Sequence, residues 1–199
     1  DSLTYISRAE VSRLRKKIKD PILRATILAN VFRLNALSMI MEAGSGHVGS
    51  SFSAMDIVTW LWLEEMRHPN DDTYRNSDIY FSSKGHDVPG LYAIIIGMGK
   101  IPERLAHRLR RINGLPGHPD VQTPFIAANA GPLGMGLSKA RGMAGARRLA
   151  KKGGRIFVLL GDGELQEGQN WESLQPIANG GFSEITAIID FNKIQSDTY

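Results

Sequence analysis

The amino-acid sequence predicts an α/β fold, a doubly wound and mainly parallel sheet with helices on both faces. Two runs, Arg155-Ile-Phe-Val-Leu-Leu and Glu184-Ile-Thr-Ala-Ile-Ile, are apolar without alternation, as expected of parallel strands covered on either side. A helical stretch near Trp171 to Ala178 separates them and stops at Asn179-Gly180-Gly181. Strand, helix and strand in that order make a right-handed crossover unit. Polar residues follow both strands directly, and ligands of such sheets sit beyond the carboxyl ends of the strands.

The other elements fall in order around this unit. Residues 1–20 read as a basic helical extension. Ile27, Val31, Leu34, Leu37 and Met41 recur at three- and four-residue steps, which predicts an amphipathic helix that Gly44 terminates. Ser53 followed by Asp56 reads as a capping-box-like start of a helix running to about Met66. Asp78 to Ser82 is a short strand candidate. No internal repeat, low-complexity tract or Pro/Ser linker divides the chain, so residues 1–199 are read as one domain.

Composition excludes several classes of function. A hydrophobic content of 42% and a charged content of 22% belong to a soluble globular protein rather than a disordered one. The absence of cysteine rules out disulfides, thiolate catalysis and cysteine-ligated metal centres. Arg8, Arg13, Arg15, Lys16, Lys17 and Lys19 interrupt every stretch that could serve as a signal peptide, and apolar runs such as residues 92–96 and 156–160 are too short to cross a bilayer. The expected compartment is therefore the cytoplasm, with no membrane partner. The net charge of +4 comes with basic clusters at residues 8–24, 104–111 and 141–155. These read first as solvated helix faces and second as a field that attracts phosphorylated substrates. They lack interleaved aromatics and any recognition motif, which argues against nucleic acid.

The chemistry gathers behind the two strands, which end in Gly161-Asp162-Gly163-Glu164 and Asp190-Phe191-Asn192-Lys193. Adjacent parallel strands lie about 4.8 Å apart, so Asp162 and Asn192 converge although they are distant in sequence. A carboxylate oxygen, an amide oxygen and a nearby main-chain carbonyl are hard ligands that suit Mg²⁺, which completes its shell with water and phosphate oxygens. The glycines allow the backbone to approach a diphosphate, and the following helix offers free N–H groups. Competing phosphate motifs fail. Gln166 stands where a dinucleotide fingerprint needs its third glycine, and no Gly-Lys-Ser/Thr triplet exists for a P-loop.

Here the sequence resembles a known family. Gly161-Asp162-Gly163 followed by Asn192 is similar to the motif of enzymes that use thiamine diphosphate, and the longer string GDGELQEGQNWE resembles transketolases. So do GSGHVGSSFSAMD at residues 44–56, SSKGH at 82–86, GLPGHPD at 114–120 and GPLGMGLS at 131–138, in the family's order. The resemblance implies a thiamine diphosphate-binding fold of the diphosphate (PP) type. It also implies roles. Asp162, Asn192 and the carbonyl of Ile194 would hold Mg²⁺, while Gly161, Gly163 and His86 would serve the diphosphate. Gly131, Pro132 and Leu133 would line the ring region of the cofactor, and His47 and His118 would face the substrate as catalytic groups. Glu167 and Glu172 match family carboxylates near the cofactor and a dimer interface. The implied reaction is transfer of a two-carbon ketol unit from a ketose, expected to be phosphorylated, to an aldose.

Read from the residues alone, His47, His86 and His118 sit beside glycines in polar turns. Each could be a plain turn histidine, although three together suit acid–base work near neutral pH. Glu167 and Glu172 could equally be helix-surface charges. Phe191 stands where the family commonly has a first asparagine, and Val48 where it commonly has a proline; neither removes a proposed ligand. No pyrimidine-binding domain, the family's source of the activating glutamate, is recognisable. The chain therefore resembles the amino-terminal subunit of a split transketolase, or a portion of a longer chain, and is expected to lack the last part of its own domain. Its expected partner is a pyrimidine-binding subunit, in a dimer of heterodimers. The alternatives are a related enzyme such as a deoxyxylulose-phosphate synthase or a pathway-specific ketol transferase, a non-catalytic subunit that keeps the motif, and an unrelated Mg²⁺–nucleotide binder.

Overall fold

Helix-forming and strand-forming stretches segregate in the computed structural model, which describes residues 3–194. They fall into two units: Asp1–Glu65 with His86–Phe125, and Met66–Gly85 with Ile126–Tyr199. Among the described residues no helix is long and apolar enough to cross a membrane.

The first unit is helical. It contains α1 (Arg8–Lys17), α2 (Pro21–Ala43), α3 (Val48–Ser53), α4 (Met55–Trp60) and α5 (Val88–Gly97). Helix α2 starts where the Asp20 carboxylate accepts a hydrogen bond from Leu23 N at 2.7 Å, with Pro21 pre-set for the first turn, and it ends at Gly44 in the left-handed region (φ 68°). The helix is as expected, but of the expected stripe only Val31 is buried. Leu34 is 43% exposed and Met41 59%, whereas Leu28, Ala29, Phe32, Ala36 and Met39 are buried. Alanines on that face admit a close neighbour. Helix α5 is buried along all ten residues, and a Cβ at its Gly97 would lie 2.5 Å from the Phe32 ring.

The single helix expected from Ser53 to Met66 is replaced by α3, α4 and a π-helical turn at Leu61–Glu65. Ser53 bonds back to the Ser50 carbonyl instead of capping, and Asp56 is drawn into an ion pair with Arg33 of α2. A second tie to α2 holds the π turn, where Arg24 grips Glu64 with both guanidinium edges at 2.6 and 2.7 Å.

The second unit carries the sheet. Strands β1 (Ile79–Ser82), β2 (Ile156–Gly161) and β3 (Ile185–Asp190) lie in the order β1-β2-β3, all parallel. Helices α6 (Gly136–Leu149) and α7 (Gly168–Asn179) belong to this unit. The core joins Phe81 of β1, Ile156, Val158 and Leu160 of β2, and Leu137, Ala140 and Ala144 of α6. Strand β2 is buried from Ile156 to Leu160, as expected. Strand β3 is not: Thr186, Ala187 and Ile189 are exposed, because among the described residues it pairs on one side only.

Asp78 precedes β1 rather than opening it, for an electrostatic reason. Its fully buried carboxylate accepts from Arg67 N at 3.0 Å and Arg155 N at 2.7 Å, and both arginine side chains also reach it. It thereby fixes the amino ends of β1 and β2 together. Burial pushes the Asp78 pKa up, but the hydrogen bonds from Arg155 and Arg67 outweigh burial and leave it below the usual value. A depressed carboxylate stabilises the fold above its unfolded pKa of about 3.9 and loses that contribution as the pH falls through the folded value. Asp78→Asn is therefore expected to cost about 2 kcal/mol in urea denaturation at neutral pH. The deficit should shrink below about pH 4, and an equal deficit at pH 7 and pH 3 would contradict the assignment.

Candidate functional site

The parallel register sets Gly161 opposite Asp190, and this pairing brings two of the expected site residues to neighbouring strand ends. Asp162 leaves β2 in helical conformation and caps a 3₁₀ turn at Gly163–Gln166. Its Oδ1 accepts from Gly163 N at 3.0 Å and its Oδ2 from Lys193 N at 2.7 Å. Lys193 adopts a positive φ of 61°, and the adjacent Asn192 Oδ1 accepts from Ile194 N at 2.9 Å. The Asp162 carboxylate is thus held against the segment that carries Asn192 and the Ile194 carbonyl.

The donor set fits a magnesium diphosphate. Each of the three side-chain oxygens engages one N–H and keeps lone-pair capacity, and all are hard donors. Among the described residues no cluster of three or more His, Asp or Glu is arranged for a metal. An ion here would be held by one carboxylate, an amide and a carbonyl, with phosphate oxygens completing its shell.

Beneath this surface lies a buried polar layer that sequence reasoning missed. Lys84 Nζ meets Asp190 Oδ2 at 2.6 Å, with both side chains almost wholly buried. Glu164 is 3% exposed. Its Oε1 accepts from Gly134 N at 2.7 Å and from the Ser83 hydroxyl, and its Oε2 accepts from Gly161 N at 3.1 Å. The signal was present, since Lys84 and Glu164 sit inside the quoted motifs, but a charged residue in a polar string reads as solvated.

Gly131, Pro132 and Leu133 form an exposed loop in the same unit. It ends at Gly134 (φ 81°), where a Cβ would lie 2.7 Å from Glu167 Cβ. Glu167 is therefore beside this loop, at the start of α7, and is exposed. Glu172 is exposed on α7 itself.

The three histidines belong to the first unit. His47 opens α3 without a side-chain cap, and its ring lies 5.0 Å from that of His86, tilted by 59°. His118 follows Gly117, where a Cβ would stand 2.8 Å from the Arg110 guanidinium. Arg110 takes a positive φ of 56°. Burial lowers the His118 pKa below its usual value, and the positive charges of Arg110 and His47 lower it further. The shift favours the neutral imidazole, the form able to accept a proton.

A parallel sheet flanked by helices, with Asp162 and Asn192 following neighbouring strands, defines an α/β protein. Residues 24–199 match the family model described as "Transketolase, thiamine diphosphate binding domain", and the chain belongs to the transketolase family. It is 37% identical over 173 residues to the transketolase of Homo sapiens, spanning 85% of this chain and 28% of that protein. It is 36% identical over 174 residues to the 6-deoxy-6-sulfo-D-fructose transketolase subunit SqwG of Clostridium sp. (strain MSTE9), spanning 86% of this chain and 63% of that one. The crystal structure of transketolase from Campylobacter jejuni superposes with a TM-score of 0.79 at 28% identity, over 89% of this chain and 29% of that chain. The chain thus spans between a quarter and a third of the length of most curated relatives it matches.

The environment of His118 yields a direct test. Followed by NMR, its imidazole should titrate below the ordinary midpoint of about 6.5. Arg110→Gln should raise that midpoint without restoring it fully, because the burial remains. An unchanged midpoint in the variant would show that Arg110 does not act on His118.

Proposed function

We propose that this chain is the thiamine diphosphate- and Mg²⁺-binding component of a transketolase. It would move a two-carbon ketol unit from a phosphorylated ketose to an aldose, together with a pyrimidine-binding partner domain or subunit. One observation carries the reading: Asp162 is tied to Lys193 N–H beside Asn192, at the ends of adjacent parallel strands, in a chain of the thiamine diphosphate-binding family.

In this reading Asp162, Asn192 and the Ile194 carbonyl hold the metal. Gly161 and Gly163 allow close backbone approach to the diphosphate, and His86 is a further cofactor-binding residue. Gly131, Pro132 and Leu133 line the ring region, with Glu167 beside them and Glu172 further along α7. When bound, thiamine diphosphate supplies the electron sink for breaking and making the carbon–carbon bond. His47 and His118 orient the hydroxyls of the donor sugar, and the neutral His118 imidazole accepts a hydroxyl proton. The similarity to a protein named as a transketolase subunit supports a two-chain enzyme, and a dimer of heterodimers is the assembly proposed for it.

Calorimetry on the assembled enzyme tests the metal assignment. Asp162→Ala should abolish Mg²⁺-dependent thiamine diphosphate binding, since it removes the anionic ligand. Asn192→Ala should weaken it by about 10- to 100-fold, the scale on which altered metal-site groups act. Wild-type affinity in both variants would refute the site.

The partner requirement has its own test. The purified chain alone, with saturating thiamine diphosphate and Mg²⁺, should show no ketol transfer, and adding a pyrimidine-binding subunit should restore turnover and tighten cofactor binding. Robust activity of the isolated chain would overturn the two-component reading.

A further inference from the structure

Among the buried groups to which the proposed chemistry gives no part, Glu164 has the most unusual surroundings. Its carboxylate accepts hydrogen bonds from three separate segments: the Ser83 hydroxyl just after β1, Gly134 N in the loop before α6, and Gly161 N at the end of β2. Ser83 extends the arrangement, since its Oγ accepts from Gly136 N at 3.0 Å. Glu164 is itself pinned from behind, where Asn170 Nδ2 donates to its carbonyl at 2.7 Å. With 3% exposure, water has little access to replace any of these bonds.

We propose that Glu164 is a positioning residue for thiamine diphosphate. Its carboxylate locks the loop of residues 131–134 to the Gly161-Asp162-Gly163 turn, so that ring region and diphosphate region are held in one fixed geometry. This inference rests on the cofactor reading above and adds to it a residue that does not touch the cofactor.

Acceptance at both oxygens is what makes the lock work. A carboxylate offers acceptor sites on both oxygens, and two of its three partners are backbone N–H groups that can only donate. Glutamine, nearly the same shape, has one acceptor oxygen and one donor NH₂. If its oxygen serves Ser83 and Gly134, its NH₂ faces Gly161 N–H, and if it is flipped, the NH₂ faces Gly134 N–H. Either way a buried donor loses its acceptor and one of the two segments is released.

The test compares Glu164→Gln with the wild type in the assembled enzyme. Thiamine diphosphate is titrated at saturating Mg²⁺ by calorimetry, well below the melting temperature of both proteins, and secondary structure is checked by circular dichroism. Glu164→Gln should weaken cofactor affinity by about tenfold, the effect of one unsatisfied buried donor. Asp78→Asn provides the contrast, because it lowers the melting temperature from the opposite end of β1 and should leave cofactor affinity unchanged. A folded Glu164→Gln with wild-type affinity would overturn the proposal. Should that variant fail to fold, Ser83→Ala decides: it removes the hydroxyl between Glu164 and Gly136 N, with about threefold weaker binding expected and unchanged binding overturning the proposal. Failure of the unsubstituted enzyme to bind thiamine diphosphate would instead refute the cofactor reading itself, and is recognised because it needs no variant.

Discussion

The pairing of β2 with β3, parallel and with Gly161 opposite Asp190, is the constraint on which the rest of the site depends. Parallel strands run in the same direction and are joined by a crossover, so both carboxyl ends emerge on the same side. The chain leaving β2 turns at Asp162, and the chain leaving β3 turns at Lys193, whose positive φ aims its N–H at the Asp162 carboxylate. A slip of one residue would reverse the faces of β3 and move Asn192 away from Asp162. The interior of β2 is apolar throughout, so register is held by packing against α6.

Charge is distributed along the strands in a consistent way. At the amino ends, Asp78 collects the backbone and side-chain donors of Arg67 and Arg155. At the carboxyl ends, Lys84 neutralises Asp190, and Glu164 is spread over three donors. A buried charge is tolerated only when paired or fully hydrogen-bonded, and each of these groups meets that condition. Asp190 and Glu164 are thereby occupied internally, and Asp162 is left as the carboxylate with oxygen capacity to spare. That division explains how, of three acidic residues close together, Asp162 alone is left for the metal role proposed above.

Much of this was legible in the residues and some was not, for physical reasons. The two apolar runs and the glycine stop after α7 gave the parallel unit, because a run without alternation has few other stable uses. Asp162 and Asn192 were legible because strand ends in such a sheet have a known side. The face of α2 was not, because Phe32 packs against Gly97 of α5, and a glycine that admits a close ring is invisible to the periodicity of α2. The break at Ala54 was hidden because Ser53 and Asp56 have better partners in the folded state than the capping pattern offers. The function of Glu164 was hidden because its three partners come from segments distant in the chain, and no local pattern encodes a long-range acceptor.

The state in which the second unit leaves its strand ends bears on the proposed reaction. Phe191 is 69% exposed, Ile194 51% and Leu133 41%, so apolar side chains flank the residues proposed to hold the metal and the cofactor ring. Apolar surface gathered about a polar site is the usual mark of a surface that another protein element covers. Covering it would also change the chemistry. With water excluded, the attraction between the metal ligands and a diphosphate strengthens as the local dielectric falls, and developing charge on a bound sugar is no longer screened. The anion-holding half of a site can be built on strand ends alone, since backbone turns and one carboxylate suffice. The water-excluding half cannot, because loops that leave a sheet diverge. A surface of this kind suits the proposed division of labour, in which this chain holds the cofactor by its phosphates and the proposed pyrimidine-binding partner supplies the enclosure.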